Sequence, residues 1–194
     1  MTDNLKRYRI ILASGSPRRQ ELMKELGIQF ETIVKDDVDE TYPPTLNPKH
    51  VAEYIALQKS RAYAAEVMQG NTLVVTADTV VVCDTRIMGK PFNAKEAVSM
   101  LRTLSGKTHR VVSGVALTSA DKQVSFSVKT KVTFRTLDDR DIRYYVEHFR
   151  PLDKAGAYGI QEWIGLVGID HIEGSYHNVM GLPTQRLFAE LRNF

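Results

Sequence analysis

Residues 8–27 read YRIILASGSPRRQELMKELG, and they point to the class of fold. The mostly apolar run at residues 8–13 predicts a short strand, and the serines, glycine and proline at residues 14–17 predict a tight turn. Leucine and methionine then recur at helical spacing over residues 18–26, before Gly27. A strand that leads through a turn into a helix is typical of α/β folds.

The rest of the chain continues this alternation and then changes to paired strands. From their caps and apolar spacing, further helices are predicted at residues 47–68, 93–106, 138–149 and 182–191. Strands are predicted at residues 30–34, 73–77, 80–83, 108–118, 124–136 and 166–172. The two longest form an antiparallel hairpin, so a mixed α/β sheet is favoured over a purely parallel one.

Length, charge and cysteine content limit the class of protein. With 194 residues and 43% hydrophobic content, the chain can bury a core as one domain spanning residues 1–194. A formal net charge of +3 suits a polyanionic small molecule and falls short of a nucleic-acid-binding protein. Cys83 is the single cysteine, which excludes a disulfide framework. No apolar run reaches about 18 residues and no signal peptide is recognisable, so we expect a cytoplasmic protein.

The turn at residues 14–19 is the first candidate site, with the order Ser-Gly-Ser-Pro-Arg-Arg. Arg18 and Arg19 fall in the first turn of the predicted helix, where cations oppose the helix dipole. An anion bound between the two guanidinium groups and the free backbone N–H groups would explain them. A solvated helix start with two surface arginines is the alternative.

Acidic residues give the next candidates. Asp78 follows the apolar run at residues 73–77, where a carboxylate needs a metal, a basic partner or hydrogen bonds, unless it only caps a turn. An acidic run between two predicted elements comprises Asp36, Asp37, Asp39 and Glu40. Mg²⁺ binds carboxylates together with substrate phosphates, so one or two of these residues could meet Asp78 across a metal. A merely solvated acidic loop is the alternative.

Two lysines are the basic candidates. Lys59 lies four residues after Ile55 and three before Ala62, on a helix stripe that is otherwise apolar. Its ammonium group either reaches past the apolar surface to solvent or meets an anion. Lys90 stands in a Gly-Lys-Pro turn, where plain exposure is the alternative.

Glycine-dense segments at residues 154–161 and 174–183 are the last candidates. Their glycines allow close backbone approach, and their amide side chains can read a base edge, although ordinary loops would explain them too. His109, His171 and His177 lack metal-ligand spacing, so we expect them to be structural or surface residues.

Together and in this order, the motifs resemble those of the Maf family of nucleoside triphosphate pyrophosphatases over essentially the whole chain. Six motifs carry the resemblance: SGSPRR at 14–19, ADTVV at 77–81, GKP at 89–91, LSGKTH at 104–109, KAGAYGIQ at 154–161 and GSYHNVMGLP at 174–183. The resemblance implies an α/β fold of the inosine-triphosphate pyrophosphatase-like class. That fold is an elongated mixed β-sheet flanked by helices, with two lobes and a central cleft for the substrate.

The resemblance also implies roles for individual residues. Asp78 would accept the proton of the attacking water, and Glu40 with Asp78 would hold a divalent metal ion, either Mg²⁺ or Mn²⁺. The residues implied to bind the triphosphate are Ser14, Arg18, Arg19, Lys59 and Lys90, of which the two lysines are grouped with Asp78 as catalytic. Gln161 would face the nucleotide. Asp39 is the alternative to Glu40, because the acidic segment does not align by motif.

Within the family, the branch that accepts dTTP and UTP resembles this chain, which has Pro-Arg-Arg, Asp-Thr and Gln in three motifs. The branch acting on 7-methyl-GTP typically has Trp-Arg and Asp-Glu at the first two places, so Arg18, Thr79 and Gln161 are the implied specificity residues. The implied activity is hydrolysis of dTTP and UTP to the monophosphate and pyrophosphate, with a housecleaning role against non-standard nucleotides.

A non-catalytic nucleotide-binding regulator of septum formation is the alternative function. In either case the expected partner is a nucleoside triphosphate, no membrane or nucleic acid is expected, and a homodimer is left open.

Overall fold

A computed structural model describes residues 3–36 and 38–194, so Asp37 of the acidic run lies outside the described residues. The strands are β1 (Arg9–Leu12), β2 (Glu31–Thr32), β3 (Thr72–Cys83), β4 (Arg86–Met88), β5 (Thr108–Thr118), β6 (Gln123–Phe134) and β7 (Ile169–Glu173). The α-helices are α1 (Pro17–Glu25), α2 (Pro48–Arg61), α3 (Ala64–Val67), α4 (Ala94–Leu104), α5 (Asp139–Phe149), α6 (Trp163–Gly168), α7 (Tyr176–Met180) and α8 (Thr184–Arg192). Short 3₁₀ helices occupy Asp3–Arg7 and Ala155–Ala157.

These strands form one mixed sheet. Their order is β2-β1-β3-β5-β6-β7, and β4 also pairs with β3. β1 is parallel to β2 and β3, because helices connect these strands, whereas β4 is antiparallel to β3 and β7 is antiparallel to β6. The predicted fold class, a mixed α/β sheet with helices, is confirmed.

Side-chain caps explain where the predicted helices begin. Asn93 Oδ1 accepts from Glu96 N (2.9 Å) at the start of α4, and Glu96 Oε2 accepts from Phe92 N (2.6 Å). Asp138 Oδ1 accepts from Arg140 N (2.7 Å) at the start of α5. Each cap satisfies backbone N–H groups that have no partner inside the helix, which is why these starts follow from the sequence.

β3 corrects the prediction of two strands separated at Asp78. Residues 72–83 are one continuous strand, so Asp78 lies within a strand and not at its end. The carboxylate does not interrupt the strand, because Lys59 Nζ donates a hydrogen bond to Asp78 Oδ1 at 2.8 Å. Threonine at position 79 is β-branched and also favours the extended backbone.

The helix predicted to reach residue 68 ends at Arg61, and Ala62 is exposed instead of buried. Tyr63 turns into the core and is 3% exposed. Its hydroxyl donates to Ile33 O (3.1 Å) and accepts from Lys35 N (3.1 Å). Burial of this ring, with its hydroxyl satisfied, accounts for the break at residues 62–63, after which the chain becomes helical again in α3.

The strand predicted at residues 166–172 is wrong in its first part. Residues 163–168 form α6, and β7 begins at Ile169. Within α6, Ile164 and Gly168 are buried at a spacing of four, whereas Leu166 is 81% exposed. A short apolar run in a sequence fits a buried strand and a buried helix equally well. Here the burial of Ile164 in the folded chain favours the helix.

The chain groups into two compact units, each assembled from separated segments. Unit 1 contains the described residues up to Asp78 together with residues 113–128 and 181–194, and unit 2 contains residues 79–112 and 129–180. Buried side chains of unit 1 include Ile11, Ala13, Tyr63, Val67 and Val74. Buried side chains of unit 2 include Val81, Leu101, Phe134, Ile142, Tyr145, Tyr158 and Ile164. A single domain over residues 1–194 stays a prediction.

Among the described residues, no helix has both the length and the apolar character needed to cross a membrane.

Candidate functional site

Asp78 lies where the partners of β3 change along the strand. β1 pairs with β3 from Thr72 to Val75, and β4 pairs with it from Val81 to Cys83. Beyond the end of β1, Ala13 N still donates to Val75 O at 2.9 Å. The segment between these two pairings contains Asp78.

An arginine side chain contacts the backbone of this segment of β3. Arg19 Nη1 donates to Ala77 O at 2.9 Å, and Arg19 Nε donates to Gly181 O at 2.8 Å. Burial lowers the pKa of Arg19 from its ordinary value, and the neighbouring Asp78 opposes that shift. Because guanidinium remains protonated in proteins, Arg19 brings a positive charge to the backbone immediately before Asp78.

Lys59 joins the two predicted metal ligands. Its Nζ atom lies 2.8 Å from Asp78 Oδ1 and 2.8 Å from Glu40 Oε1. The Lys59 and Asp78 side chains are 14% and 13% exposed, whereas Glu40 is 52% exposed. The lysine predicted on an apolar stripe thus reaches an acidic pair instead of open solvent. We call Glu40, Lys59 and Asp78 the carboxylate–lysine trio.

Asp39 has different partners from Glu40. Asp39 Oδ1 accepts from Thr41 N (2.8 Å), and Asp39 Oδ2 accepts from Gln58 Nε2 (2.7 Å). The Thr41 backbone N–H, the largest influence, lowers the pKa of Asp39. Asp39 therefore ties its loop to α2 one residue before Lys59, while Glu40 contacts the lysine itself.

Ser14 and the first turn of α1 lie beside Arg19. Ser14 is 8% exposed, and its Oγ accepts from Ser16 N (3.3 Å) and from Arg19 Nη1 (3.4 Å). Pro17 is at the first position of α1, and no acidic residue is in the first turn. Arg18 is half-buried in that turn. This end of α1 combines backbone N–H groups with two guanidinium groups, an arrangement suited to an anion.

The acidic residues suit a metal that takes few protein ligands. No group of three or more histidine, cysteine, aspartate or glutamate side chains with metal-binding geometry occurs within residues 3–36 and 38–194. Mg²⁺ usually binds one or two carboxylates and completes its shell with waters and substrate phosphates. Glu40 and Asp78, which share one ammonium group, fit that pattern better than they fit a closed site such as structural zinc.

The remaining predicted residues belong to unit 2. Thr79 is half-buried on β3, and Lys90 is exposed after Gly89. Gln161 is half-buried, and its Oε1 atom is buried without a hydrogen-bond partner among the described residues. Their roles in binding substrate stay predictions, as do the roles predicted for Ser14, Arg18, Arg19 and the carboxylate–lysine trio.

Sequence reasoning missed a polar network next to Gln161. Tyr145 OH donates to Glu162 Oε2, and Lys154 Nζ lies 3.0 Å from Glu162 Oε1. In the sequence, Tyr145 fits the apolar spacing of its helix, and nothing in that spacing indicates a bond to Glu162. The sequence offers one signal for this network: a charged residue, Glu162, directly follows Gln161. Lys154, of opposite charge, lies eight residues before Glu162.

Comparison with known proteins gives one consistent result. The family model described as Maf-like protein matches residues 9–194. The dTTP/UTP pyrophosphatase of Phocaeicola vulgatus is 52% identical over 192 residues, which cover 99% of this chain and 99% of that protein. The dTTP/UTP pyrophosphatase of Porphyromonas gingivalis is 51% identical over 195 residues, covering 100% of this chain and 98% of that protein.

Solved structures resemble the fold at low sequence identity. The Ham1 protein of Staphylococcus aureus aligns with a TM-score of 0.53 and 17% identity, covering 94% of this chain and 99% of that chain. A HAM1 protein from Coxiella burnetii aligns with a TM-score of 0.50 and 13% identity, covering 96% and 100% of the two chains. At this identity the likeness concerns the fold alone.

Proposed function

Because the chain belongs to the Maf family, we propose that it is a nucleoside triphosphate pyrophosphatase that hydrolyses dTTP and UTP. The products are the nucleoside monophosphate and pyrophosphate. Support for the substrates comes from relatives named dTTP/UTP pyrophosphatase, about half identical to this chain over nearly its whole length.

One structural observation carries the proposal: the Lys59 ammonium group lies between Glu40 and Asp78 at equal distances of 2.8 Å. Two carboxylates and a lysine gathered beside an arginine-bearing helix start match the needs of triphosphate hydrolysis. The substrate brings several negative charges, and more charge builds on the departing pyrophosphate. Fixed cationic groups aimed at that charge stabilise the transition state.

Each candidate site residue of unit 1 has a proposed task in this reaction. Asp78 accepts the proton of the water that attacks the α-phosphorus, a task that typically contributes about 10²- to 10⁴-fold. Arg18, Arg19 and Ser14 bind phosphate oxygens at the start of α1. Lys59 fixes the Asp78 carboxylate by its hydrogen bond and adds positive charge near the phosphates.

A divalent cation, Mg²⁺ or Mn²⁺, is part of the proposal, with Glu40 and Asp78 as the residues that would hold it. Such an ion neutralises phosphate charge and acts as a Lewis acid on a phosphoryl oxygen. Glu40 is proposed over Asp39, because both oxygens of Asp39 already accept hydrogen bonds from Thr41 and Gln58.

The proposal extends to the residues of unit 2 and to the setting of the enzyme. Lys90 binds the triphosphate, and Thr79 and Gln161, with Arg18, select the base. We assign the enzyme to the cytoplasm, consistent with a single buried cysteine at position 83, and to housecleaning of non-standard nucleotides.

A substrate panel tests the activity. Pure protein is incubated with dTTP, UTP, CTP, dATP and 7-methyl-GTP in the presence of Mg²⁺ or Mn²⁺, and pyrophosphate release is measured. We expect dTTP and UTP to be the best substrates. Absence of pyrophosphate from every nucleotide would reject the proposal, and nucleotide binding without hydrolysis would favour the regulator of septum formation.

Asp78→Asn tests the mechanism. The amide keeps the shape of the carboxylate but is a poor proton acceptor and metal ligand, so we expect kcat to fall by at least about 10²-fold. The paired control, Asp170→Asn, alters an exposed aspartate on β7 and should retain wild-type kcat. Circular dichroism verifies that both variants are folded. An active, folded Asp78→Asn variant would remove this residue from the proposed mechanism.

A further inference from the structure

A buried polar network surrounds the backbone that carries Gln161. Tyr145 is 0% exposed, and its hydroxyl donates to Glu162 Oε2 while accepting from Gly159 N at 3.0 Å. Lys154 is 9% exposed, and its Nζ lies 3.0 Å from Glu162 Oε1 and 2.7 Å from Asp153 Oδ1. Both carboxylate oxygens of Glu162 are therefore held by buried donors. We call Tyr145, Lys154 and Glu162 the anchoring network.

This network fixes a tight turn. Glu162 N donates to Gly159 O at 3.0 Å, which closes a four-residue turn with Gln161 at its third position. A side chain at Gly159 would lie 3.1 Å from Gln161 Nε2 and 2.9 Å from Glu162 Cδ. The amide group of Gln161 thus packs against a bare backbone, and the first and last residues of the turn, Gly159 and Glu162, are hydrogen-bonded to Tyr145.

The glutamine held in this way has an unused acceptor. Gln161 Oε1 is buried and has no hydrogen-bond partner within the described residues. A buried acceptor without a donor is unfavourable, so such groups are rare in folded proteins. Those that occur often have a functional role or bind a water or an ion. A ligand that supplies an N–H donor would satisfy this oxygen. Uracil and thymine carry an imide N–H on the base edge, whereas cytosine has a bare nitrogen acceptor at the same ring position.

We propose that Tyr145, Lys154 and Glu162 are positioning residues that hold Gln161 Oε1 as an acceptor for the imide N–H of the substrate base. This inference rests on the proposed function and deepens it, because it names the feature of the base that is selected. A site built to accept a hydrogen bond discriminates strongly against an analogue that lacks the donor. The anchoring network touches no substrate, and it acts through the orientation of Gln161.

Tyr145→Phe is the first test, because it removes the hydroxyl that holds both Glu162 and Gly159 and keeps the ring. We expect kcat/KM for UTP to fall about tenfold, as for the loss of about 1.4 kcal/mol of binding, mostly through a higher KM. The value for CTP should change little, so the UTP to CTP ratio falls. Tyr144→Phe is the matched control, since Tyr144 is an exposed neighbour on the same helix, and its ratio should stay at the wild-type value.

A purely structural role for the network makes a different prediction. Tyr145→Phe would then lower the melting temperature but leave the UTP to CTP ratio unchanged, which would overturn the inference. Glu162→Gln is the second variant, used if Tyr145→Phe does not fold. We expect the same fall in its ratio of kcat/KM for UTP to kcat/KM for CTP. Gln161→Ala should also lower the UTP to CTP ratio. Combining it with Tyr145→Phe should lower the ratio no further, because both substitutions act through the contact between Gln161 and the base.

Different results would overturn the proposed function and the role inferred for the anchoring network. Wild-type protein that releases no pyrophosphate from UTP would overturn the proposed function and this inference with it. Wild-type protein that prefers UTP, together with a Tyr145→Phe variant that keeps this preference, would overturn only the inference.

Discussion

Glu40 and Asp39 are adjacent carboxylates with different partners. We therefore expect their substitutions to have different effects on the Mg²⁺ requirement. Glu40→Gln removes a negative charge next to Lys59, so the Mg²⁺ concentration for half-maximal activity should rise about tenfold or more. Asp39→Asn keeps one acceptor oxygen for Thr41 or Gln58, and its effect should be a few-fold at most. Magnesium titrations of both variants measure this. A larger effect for Asp39→Asn would contradict the assignment.

His109 gives stability a dependence on pH. It is 1% exposed, its Nε2 lies 2.7 Å from Tyr158 OH, and burial lowers its pKa to about 4. Unfolded histidine titrates near 6.5, so the unfolded chain binds the extra proton between these values. The contribution to stability is therefore complete above about pH 6.5 and decreases as pH falls toward about 4, by on the order of 3 kcal/mol.

His109→Gln tests this sign. The variant should lose less unfolding free energy than the wild type between pH 7 and pH 4.5, as measured by urea denaturation. His171→Gln, at an exposed position on β7, should lose as much as the wild type. If both variants lost as much as the wild type, His109 would not be the source of the dependence.

The sequence predicts those ends of helices and strands that are determined by contacts between residues close together in the chain. α4 and α5 begin where expected, because Asn93 and Asp138 cap them within three residues along the chain. The end of α2 and the start of α6 depend on Tyr63 and Ile164, whose packing partners are distant in sequence. β3 continues through Asp78 because of a lysine nineteen residues away. Contacts of this range leave no local pattern to find.

A glycine controls the approach of β5 to α2. An alanine side chain at Gly114 would lie 2.2 Å from Glu53 N and 2.3 Å from Ala52 C, both in the backbone of α2. Gly114→Ala should lower the free energy of unfolding by about 1–3 kcal/mol, as overpacking does. It should also reduce activity, because α2 carries Lys59.

Gly89→Ala provides the comparison for stability, since among the described residues no heavy atom outside Gly89 and its two chain neighbours lies within 4 Å of the added carbon. Thermal unfolding measures both variants, and equal melting temperatures would contradict the close approach of β5 and α2.

For the whole molecule, the mixed sheet could be predicted from the sequence, whereas the contacts of Lys59 with Glu40 and Asp78 and the anchoring network could not. Lys59 and Asp78 stood out because a charge interrupted an apolar pattern. Tyr145 fitted an apolar helix face, and its hydroxyl gave no sign that it would bind Glu162. The hydroxyl of a residue that otherwise fits the pattern of a core shows its partner only when the chain is folded.

Ligand binding should stabilise the whole chain. At 100 times its dissociation constant, a non-hydrolysable UTP analogue with Mg²⁺ should add about 2.7 kcal/mol to the free energy of unfolding. For a chain of this length, that corresponds to a rise in Tm of about 5–10 °C. Scanning calorimetry measures the shift, and the same analogue with a chelator is the control. No shift at saturating analogue would contradict nucleotide binding.

The ammonium group of Lys59 also affects how Glu40 and Asp78 would hold a cation. With this lysine in contact, Glu40 and Asp78 already share a counter-ion, and the trio carries a single negative charge. A free Mg²⁺ ion thus gains less from the site than from two unpaired carboxylates, while it must still give up tightly held waters. An incoming triphosphate changes the balance, because its oxygens attract the ammonium group and the metal alike. If Glu40 and Asp78 hold a divalent ion, they would hold it more firmly when triphosphate oxygens complete its shell, and in the structure Lys59 is the cation that both carboxylates contact.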